Sequence, residues 1–145
     1  MKNQTINLVV AVAVSTALLS GSAWAKDKIT MPADAKLLSM VEIIAAYGGK
    51  KVIWTHPNGD GVNGFALFDT AITKASGEWH GTKAHGTFES KTKFEGDNYC
   101  YTTTKLDGKM HHDTWHCAKV YAAGGKYFEN DSKSGKNMSV NTIAQ

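Results

Sequence analysis

Three of the six histidines in this 145-residue chain lie within residues 111–117, which read His-His-Asp-Thr-Trp-His-Cys. Imidazole nitrogens are common ligands of zinc and copper, so the segment suggests a metal site. On a helix, His112 and His116 would form a chelating pair one turn apart. On a strand they lie roughly 13 Å apart, at about 3.3 Å per residue, and His111 points to the opposite face. The surrounding sequence favours a strand, which weakens the site.

A metal ion bound in this region would need a ligand from another strand. His112 or His116 would have to act with His80 or His85, so these four histidines are the candidate metal ligands. A metal-dependent or hydrolytic enzyme would use the same residues. No G-x-S-x-G, phosphate-binding loop, dinucleotide fingerprint or C-x-x-C-H haem attachment occurs in the sequence. We therefore predict no metal and no cofactor, and the sequence identifies no catalytic residue.

Cys100 and Cys117 are the only cysteines, and they flank a turn signal at Asp107-Gly108. A two-residue turn would place Cys100 opposite Trp115, with Cys117 diagonal to it. A four-residue turn over 107–110 would place the two cysteines directly opposite each other. Both registers put the two sulfurs on one face of the sheet, so we predict a disulfide. A redox-active pair is disfavoured because the C-x-x-C spacing is missing.

One amphipathic helix is predicted near the start of the mature chain, over Met31 to Tyr47. Asp34 would cap its start, and Gly48-Gly49 would end it. Apolar residues at spacings of three and four would line the face that packs on a sheet, namely Leu37, Met40, Val41, Ile44 and Ala45.

After Gly49 the apolar runs shorten, β-branched and aromatic residues become frequent, and glycine-bearing turns recur. This pattern predicts a mainly β fold, an antiparallel meander of about seven strands that forms a curled sheet or a small barrel. Its aromatic side chains are expected to fill the core rather than to form a ligand platform. The predicted strands are Lys51 to His56, Val62 to Phe68, Ile72 to Trp79, Gly86 to Lys91, Asn98 to Thr104, His111 to Tyr121 and Lys126 to Glu129.

Residues 1–25 have the features of a secretory signal peptide: Lys2, an apolar run from Leu8 to Leu19, and the small-residue ending Ala23-Trp24-Ala25. The apolar run is about a dozen residues long, too short for the roughly 20 that a spanning helix needs. We therefore expect a periplasmic or secreted protein with no membrane span after cleavage. An oxidising compartment also favours the predicted disulfide.

The mature chain is expected to form a single β-rich domain over residues 26–130, followed by a flexible tail over 131–145 that is rich in Ser, Lys and Asn. Without Lys2, 15 lysines face 13 acidic residues, and no arginine occurs. This balance argues against a nucleic-acid partner, and the lack of arginine argues against phosphate-rich ligands.

A set of loosely spaced glycines, tryptophans and cysteines follows the helix: Gly49-Lys50, Trp54, Gly77-Glu78-Trp79, Gly96-Asp97-Asn98-Tyr99-Cys100, Cys117, Val120-Tyr121 and Gly124-Gly125-Lys126-Tyr127. In this order they resemble the proteobacterial domain-of-unknown-function family 995, over about Leu37 to Phe128. The resemblance implies a small exported bacterial protein and carries over no catalytic residue. The histidine cluster is not part of the family pattern.

Two functions remain open at this stage. The first is a non-enzymatic binding or structural β domain in the periplasm, with a small apolar ligand or an envelope component as its partner. A lined hollow of a few hundred Å³ would favour a ligand carrier, and a solid core would favour a surface-binding role. The second is the metal-dependent or hydrolytic enzyme, which requires histidines and carboxylates to converge in a cleft.

Overall fold

The computed structural model describes residues 28–145, so the predicted signal peptide, residues 1–25, lies outside the described residues. The described chain forms one helix, α1 (Met40–Tyr47), and ten strands: β1 (Lys36–Leu37), β2 (Lys51–Thr55), β3 (Asn63–Phe68), β4 (Lys74–His80), β5 (His85–Glu95), β6 (Asn98–Leu106), β7 (Lys109–Met110), β8 (His116–Ala123), β9 (Lys126–Asp131) and β10 (Asn137–Ile143). No helix in this range is long and apolar enough to cross a membrane.

Eight strands, β2 to β6 and β8 to β10, close into an antiparallel barrel. The barrel strands pair in chain order, β6 pairs with β8, and β10 returns to pair with β2. Strand β1 extends the ladder of β8, and β7 extends that of β6. The predicted antiparallel β fold is therefore confirmed, but with eight barrel strands rather than about seven.

The predicted flexible tail over 131–145 is wrong, because it contains the strand that closes the barrel. β10 pairs with β9 on one side and with β2 on the other. Its residues alternate between the interior and the outside, and outward-facing Val140 is buried. The inward positions include polar Ser139 and Asn141, which line the barrel interior. Because of these polar residues, the composition of β10 resembles that of a flexible tail.

The hairpin that carries the cysteines contains both registers that the sequence left open. At its tip, Leu106 pairs with Lys109 across a two-residue turn, and further along Cys100 lies directly opposite Cys117. The register changes because residues 111–115 leave the ladder, where the Asp113 carbonyl accepts a hydrogen bond from the Thr102 hydroxyl at 3.0 Å. The predicted strand over His111 to Tyr121 is therefore wrong for its first five residues.

Helix α1 is shorter than predicted and buries a different face. It begins after Ser39, because the Ser39 side chain and the Glu42 side chain form a capping box. Residues before Ser39 form β1 rather than the predicted helical turns, so Asp34 is not the cap. The helix buries Ile43, Ala46 and Tyr47, whereas four of the five residues of the predicted packing face are exposed: Leu37, Met40, Val41 and Ala45.

The buried face of α1 closes one end of the barrel. Ile43 and Tyr47 form one apolar cluster with residues from four barrel segments, namely Val52, Ile72, Tyr99 and Val120. The Tyr47 ring lies 5.6 Å from that of Phe68 and 5.4 Å from that of Tyr127, measured between centroids. Such aromatic packing fixes the orientation of the tyrosine and carries its hydroxyl into the barrel.

The N-terminal segment, residues 28–38, runs along the outside of the barrel. Ile29 donates its backbone N–H to Pro57 at 2.8 Å and accepts a hydrogen bond from Asn137, and Leu38 donates to Val120 at 2.9 Å. Phe128 and Val140 face outward on β9 and β10, yet they are only 2% and 6% exposed. The segment therefore covers the outer face next to the closing strand.

Ending the chain at Asp131 should abolish folding, because it removes β10 and leaves two open strand edges. Loss of the native circular dichroism spectrum and rapid digestion by a protease would show this. A chain that ends at Ala144 retains every strand and is the matched control. A cooperative unfolding transition of near-native free energy in the shorter chain would contradict the role of β10.

The disulfide joins the neighbouring barrel strands β6 and β8. The sulfurs of Cys100 and Cys117 lie 2.04 Å apart, across a sequence separation of 17 residues. Replacing both cysteines by alanine should lower the free energy of unfolding by about 3 kcal/mol, because the unfolded chain loses a closed loop. Urea denaturation of this variant measures the loss, and reduction of the wild-type protein should reproduce it. An unchanged unfolding free energy in both experiments would contradict a stabilising bond.

Candidate functional site

A cavity of about 210 Å³ lies inside the barrel, next to the cluster that α1 closes. It is partly open to solvent. Its lining comes from seven strands and from the residue that follows β2: Val52, Trp54, His56, Ala66, Phe68, Ala75, Phe88, Ser90, Tyr99, Tyr101, Thr103, Glu129, Met138, Ser139 and Asn141. The barrel interior is therefore neither solid nor uniformly apolar.

Aromatic rings form much of the cavity wall. Tyr99 belongs to the buried core, as expected of the aromatic residues, but it also borders the hollow, as do Trp54, Phe88 and Tyr101. Trp54 can lie flat against β3 because its partner there is a glycine, Gly64. A Cβ atom on Gly64 would stand 2.6 Å from Cζ2 of the indole, too close for a side chain. The pairing of these two residues thus sets the position of the tryptophan wall.

A polar cluster of three residues lies at the inner side of the cavity. The Glu129 carboxylate accepts hydrogen bonds from Ser139 Oγ at 3.1 Å and from Asn141 Nδ2 at 2.7 Å. The same amide group donates to the Tyr47 hydroxyl at 2.8 Å. β9 and β10 bring the cluster together, because Glu129 pairs with Ser139 in their ladder and Asn141 follows two residues later on the same face.

Burial dominates the electrostatics of this cluster. Loss of solvent raises the pKa of Glu129, while hydrogen bonds from Ser139, Asn141 and Tyr47 act against the rise. Burial, and then the nearby Glu129 charge, raise the pKa values of Tyr47 and Tyr99 well above the usual tyrosine range. Both tyrosines therefore stay neutral and act as hydrogen-bonding aromatic walls.

Glu129 has no cationic partner within residues 28–145. Every ion pair in that range lies on the surface and involves other residues. Asn141 is also incompletely satisfied, since its Oδ1 is buried and accepts no hydrogen bond from the described residues. Buried polar atoms are usually paired, so this unpaired oxygen is an exception that adds to the polarity of the cluster.

His56 lines the cavity at the end away from α1, two residues beyond Trp54. Its ring is half-exposed, and its Nδ1 lies 3.1 Å from Asp60 Oδ2. Hydrogen bonds from the backbone N–H of Val62 and from His56 lower the pKa of Asp60, which keeps that carboxylate charged. The pair places a polar rim at the opening.

The four candidate metal ligands do not converge on one point. His80 and His85 are paired across β4 and β5, with ring centroids 6.2 Å apart. His116 contacts Asp113 at 3.2 Å, and His112 lies exposed in the irregular segment 111–115. His112 is therefore not on a strand, and the spacing argument from strand geometry does not apply to it.

Across residues 28–145, one group of three potential metal ligands has its ligand atoms within 4.8 Å of one another: Glu95, Cys100 and Cys117. The two cysteines are bonded to each other, so their sulfurs are not available as thiolates. This group therefore does not constitute a metal site while the disulfide is formed.

The polar cluster was missed by sequence reasoning. Glu129 lay at the end of a predicted strand and carried no motif, and Ser139 and Asn141 lay in the predicted tail. One available signal was the alternation of β9, which puts Glu129 on the same face as Tyr127 and thus on an aromatic, inward side. A lone carboxylate on such a face is a candidate for a buried functional group.

Comparison of the chain with protein-family models, with curated proteins and with solved structures finds no match. The geometry of the barrel interior therefore carries the functional argument.

The raised pKa of Glu129 has a defined effect on stability. Above about pH 4.5, the usual pKa of the carboxyl, the unfolded state loses its proton while the folded state retains it. The contribution of Glu129 to the free energy of unfolding is thus fully present below that pH. It decreases as the pH rises toward the folded pKa, by up to about 1.4 kcal/mol per pH unit. Subtracting the unfolding free energy of Glu129→Gln from that of the wild type should isolate this fall.

Glu89→Gln, which removes an exposed carboxylate, is the control and should follow the wild-type profile. Urea denaturation from pH 4 to pH 8 provides the three curves. A difference between wild type and Glu129→Gln that stays flat or grows with pH would contradict the raised pKa.

Proposed function

We propose that this protein is a non-enzymatic binding protein of the bacterial periplasm or cell exterior, and that it holds one small, largely apolar molecule inside its barrel. The single observation that carries this proposal is the lined interior cavity of about 210 Å³. Protein interiors are close-packed, and voids larger than a water molecule are few. A hollow bordered by aromatic rings and ending on a carboxylate is a typical composition for a ligand site.

The cavity volume limits the size of the ligand. An engineered apolar cavity of about 150 Å³ binds benzene, and sites for drug-sized ligands start at about 300 Å³. A volume between these values suits a molecule with one or two small rings. Eight-stranded barrels have an interior just wide enough for such a ligand, which agrees with this estimate.

Support for an extracytoplasmic location comes from two features. A disulfide such as Cys100–Cys117 is typical of an oxidising compartment. The N-terminal sequence has the pattern of a secretory signal peptide. Membership of the exported family 995 is part of the same proposal. The enzyme alternative has less support, because His80, His85, His112 and His116 form no common cluster in residues 28–145.

Filling the cavity should abolish binding without unfolding the barrel. Ala75 lines the cavity, and Ala75→Leu would place three more carbon atoms inside it. Ser76→Leu adds a leucine at the next, exposed position of β4 and is the matched control. We expect benzyl alcohol to bind the wild type and Ser76→Leu with similar dissociation constants, and to bind Ala75→Leu at least tenfold more weakly. NMR titration measures the three values.

Chemical-shift changes should concentrate on residues that line the barrel interior. Absence of binding to wild-type protein by benzyl alcohol, indole and toluene would contradict the proposal. So would equal binding by Ala75→Leu, because the site would then lie outside the cavity.

A further inference from the structure

We infer that the barrel cavity selects a small aromatic molecule that carries a protonated amine, with Glu129 binding the ammonium group. This inference rests on the proposed function and specifies its ligand class. It follows from three features of the interior: the pattern of hydrogen bonds at Glu129, the lack of a cation in contact with it, and the aromatic walls.

The hydrogen bonds around Glu129 all run toward its carboxylate. Ser139 donates through its hydroxyl, and Asn141 donates through its amide hydrogens. An ionised carboxylate accepts only, whereas a protonated one needs an acceptor for its own hydrogen. These donors stabilise the ionised form, whereas burial favours the neutral form, so a cation that enters the cavity would shift Glu129 to its ionised form.

An ionised Glu129 requires a positive charge that the described part of the chain does not place beside it. Glu129 is 8% exposed, and none of the surface ion pairs within residues 28–145 involves it. An unpaired charge in a protein interior is costly, on the order of several kcal/mol. A ligand ammonium would compensate that charge at the point where the cavity ends.

The hydrogen-bonding capacity of an ammonium group fits the remaining polar atoms. An alkylammonium has three N–H donors and no acceptor. Glu129, which lines the cavity, offers carboxylate oxygens that can accept from these donors. A carboxylate ligand would instead meet Glu129 as a like charge, so the site discriminates against acids.

Aromatic faces supply the rest of the recognition. Trp54, Tyr99 and Tyr101 border the cavity, and both tyrosines remain neutral because burial raises their pKa values. Rings of this kind attract a desolvated cation through their quadrupoles and stack on an aromatic ligand. The cavity walls can therefore bind both the aromatic ring and the positive charge of one ligand.

Three probes of similar size test the charge requirement in the wild-type protein: benzylamine, benzyl alcohol and benzoate. At pH 7, isothermal titration calorimetry should show benzylamine binding at least tenfold more tightly than benzyl alcohol, and benzoate binding more weakly than both. In Glu129→Gln, which keeps the size and an acceptor oxygen, benzylamine should lose at least tenfold while benzyl alcohol changes less than threefold. Glu89→Gln, on the outer face, should leave all three unchanged.

The outcomes separate this inference from the proposed function. Binding of benzyl alcohol with equal or weaker binding of benzylamine would overturn the ammonium assignment and leave the cavity as a binding site. Binding of none of the three probes would contradict the proposed function as well. The wild-type comparison decides the matter even if Glu129→Gln does not fold.

Discussion

The ladder between β10 and β2 is the constraint on which the rest of the structure depends. Four residue pairs join the last strand to the first barrel strand, from Val140 with Thr55 to Ile143 with Val52. Without this ladder, the strands would form an open sheet with two unpaired edges and no enclosed interior. Closure with eight strands sets the width of that interior, which is why space remains beside the side chains that fill it.

Barrel closure also explains how the protein accommodates a buried carboxylate, Glu129, despite the free-energy cost of burying it. β9 and β10 are neighbours only because the C-terminal residues form a strand, and their ladder brings Ser139 and Asn141 to the carboxylate. The helix adds Tyr47 from the closed end. A carboxylate that accepts two hydrogen bonds is better satisfied than a bare charge, yet no cationic side chain among the described residues compensates its charge. We therefore infer that the cluster is a binding group.

Sequence reasoning predicted the strands wherever alternation and turn residues agreed. β2 and β3 match their predicted ranges to within one residue, because turn residues flank them: Gly48-Gly49 before β2 and Pro57 to Gly61 between the two strands. It failed at β10, where polar Ser139 and Asn141 face inward and interrupt the apolar pattern of the strand. It also did not predict the cavity, because Glu129 becomes part of a polar cluster only through the neighbours that barrel closure brings to it. Such long-range pairing leaves no local motif.

A crystal structure of the protein with benzylamine is the most direct test of the central claim, that the closed barrel holds a ligand ammonium at Glu129. The account predicts one benzylamine in the cavity, with its nitrogen about 2.7–3.2 Å from a Glu129 carboxylate oxygen and its ring against Trp54 or Tyr101. A barrel interior that is filled by its own side chains would contradict the account. So would benzylamine bound with its nitrogen directed away from Glu129.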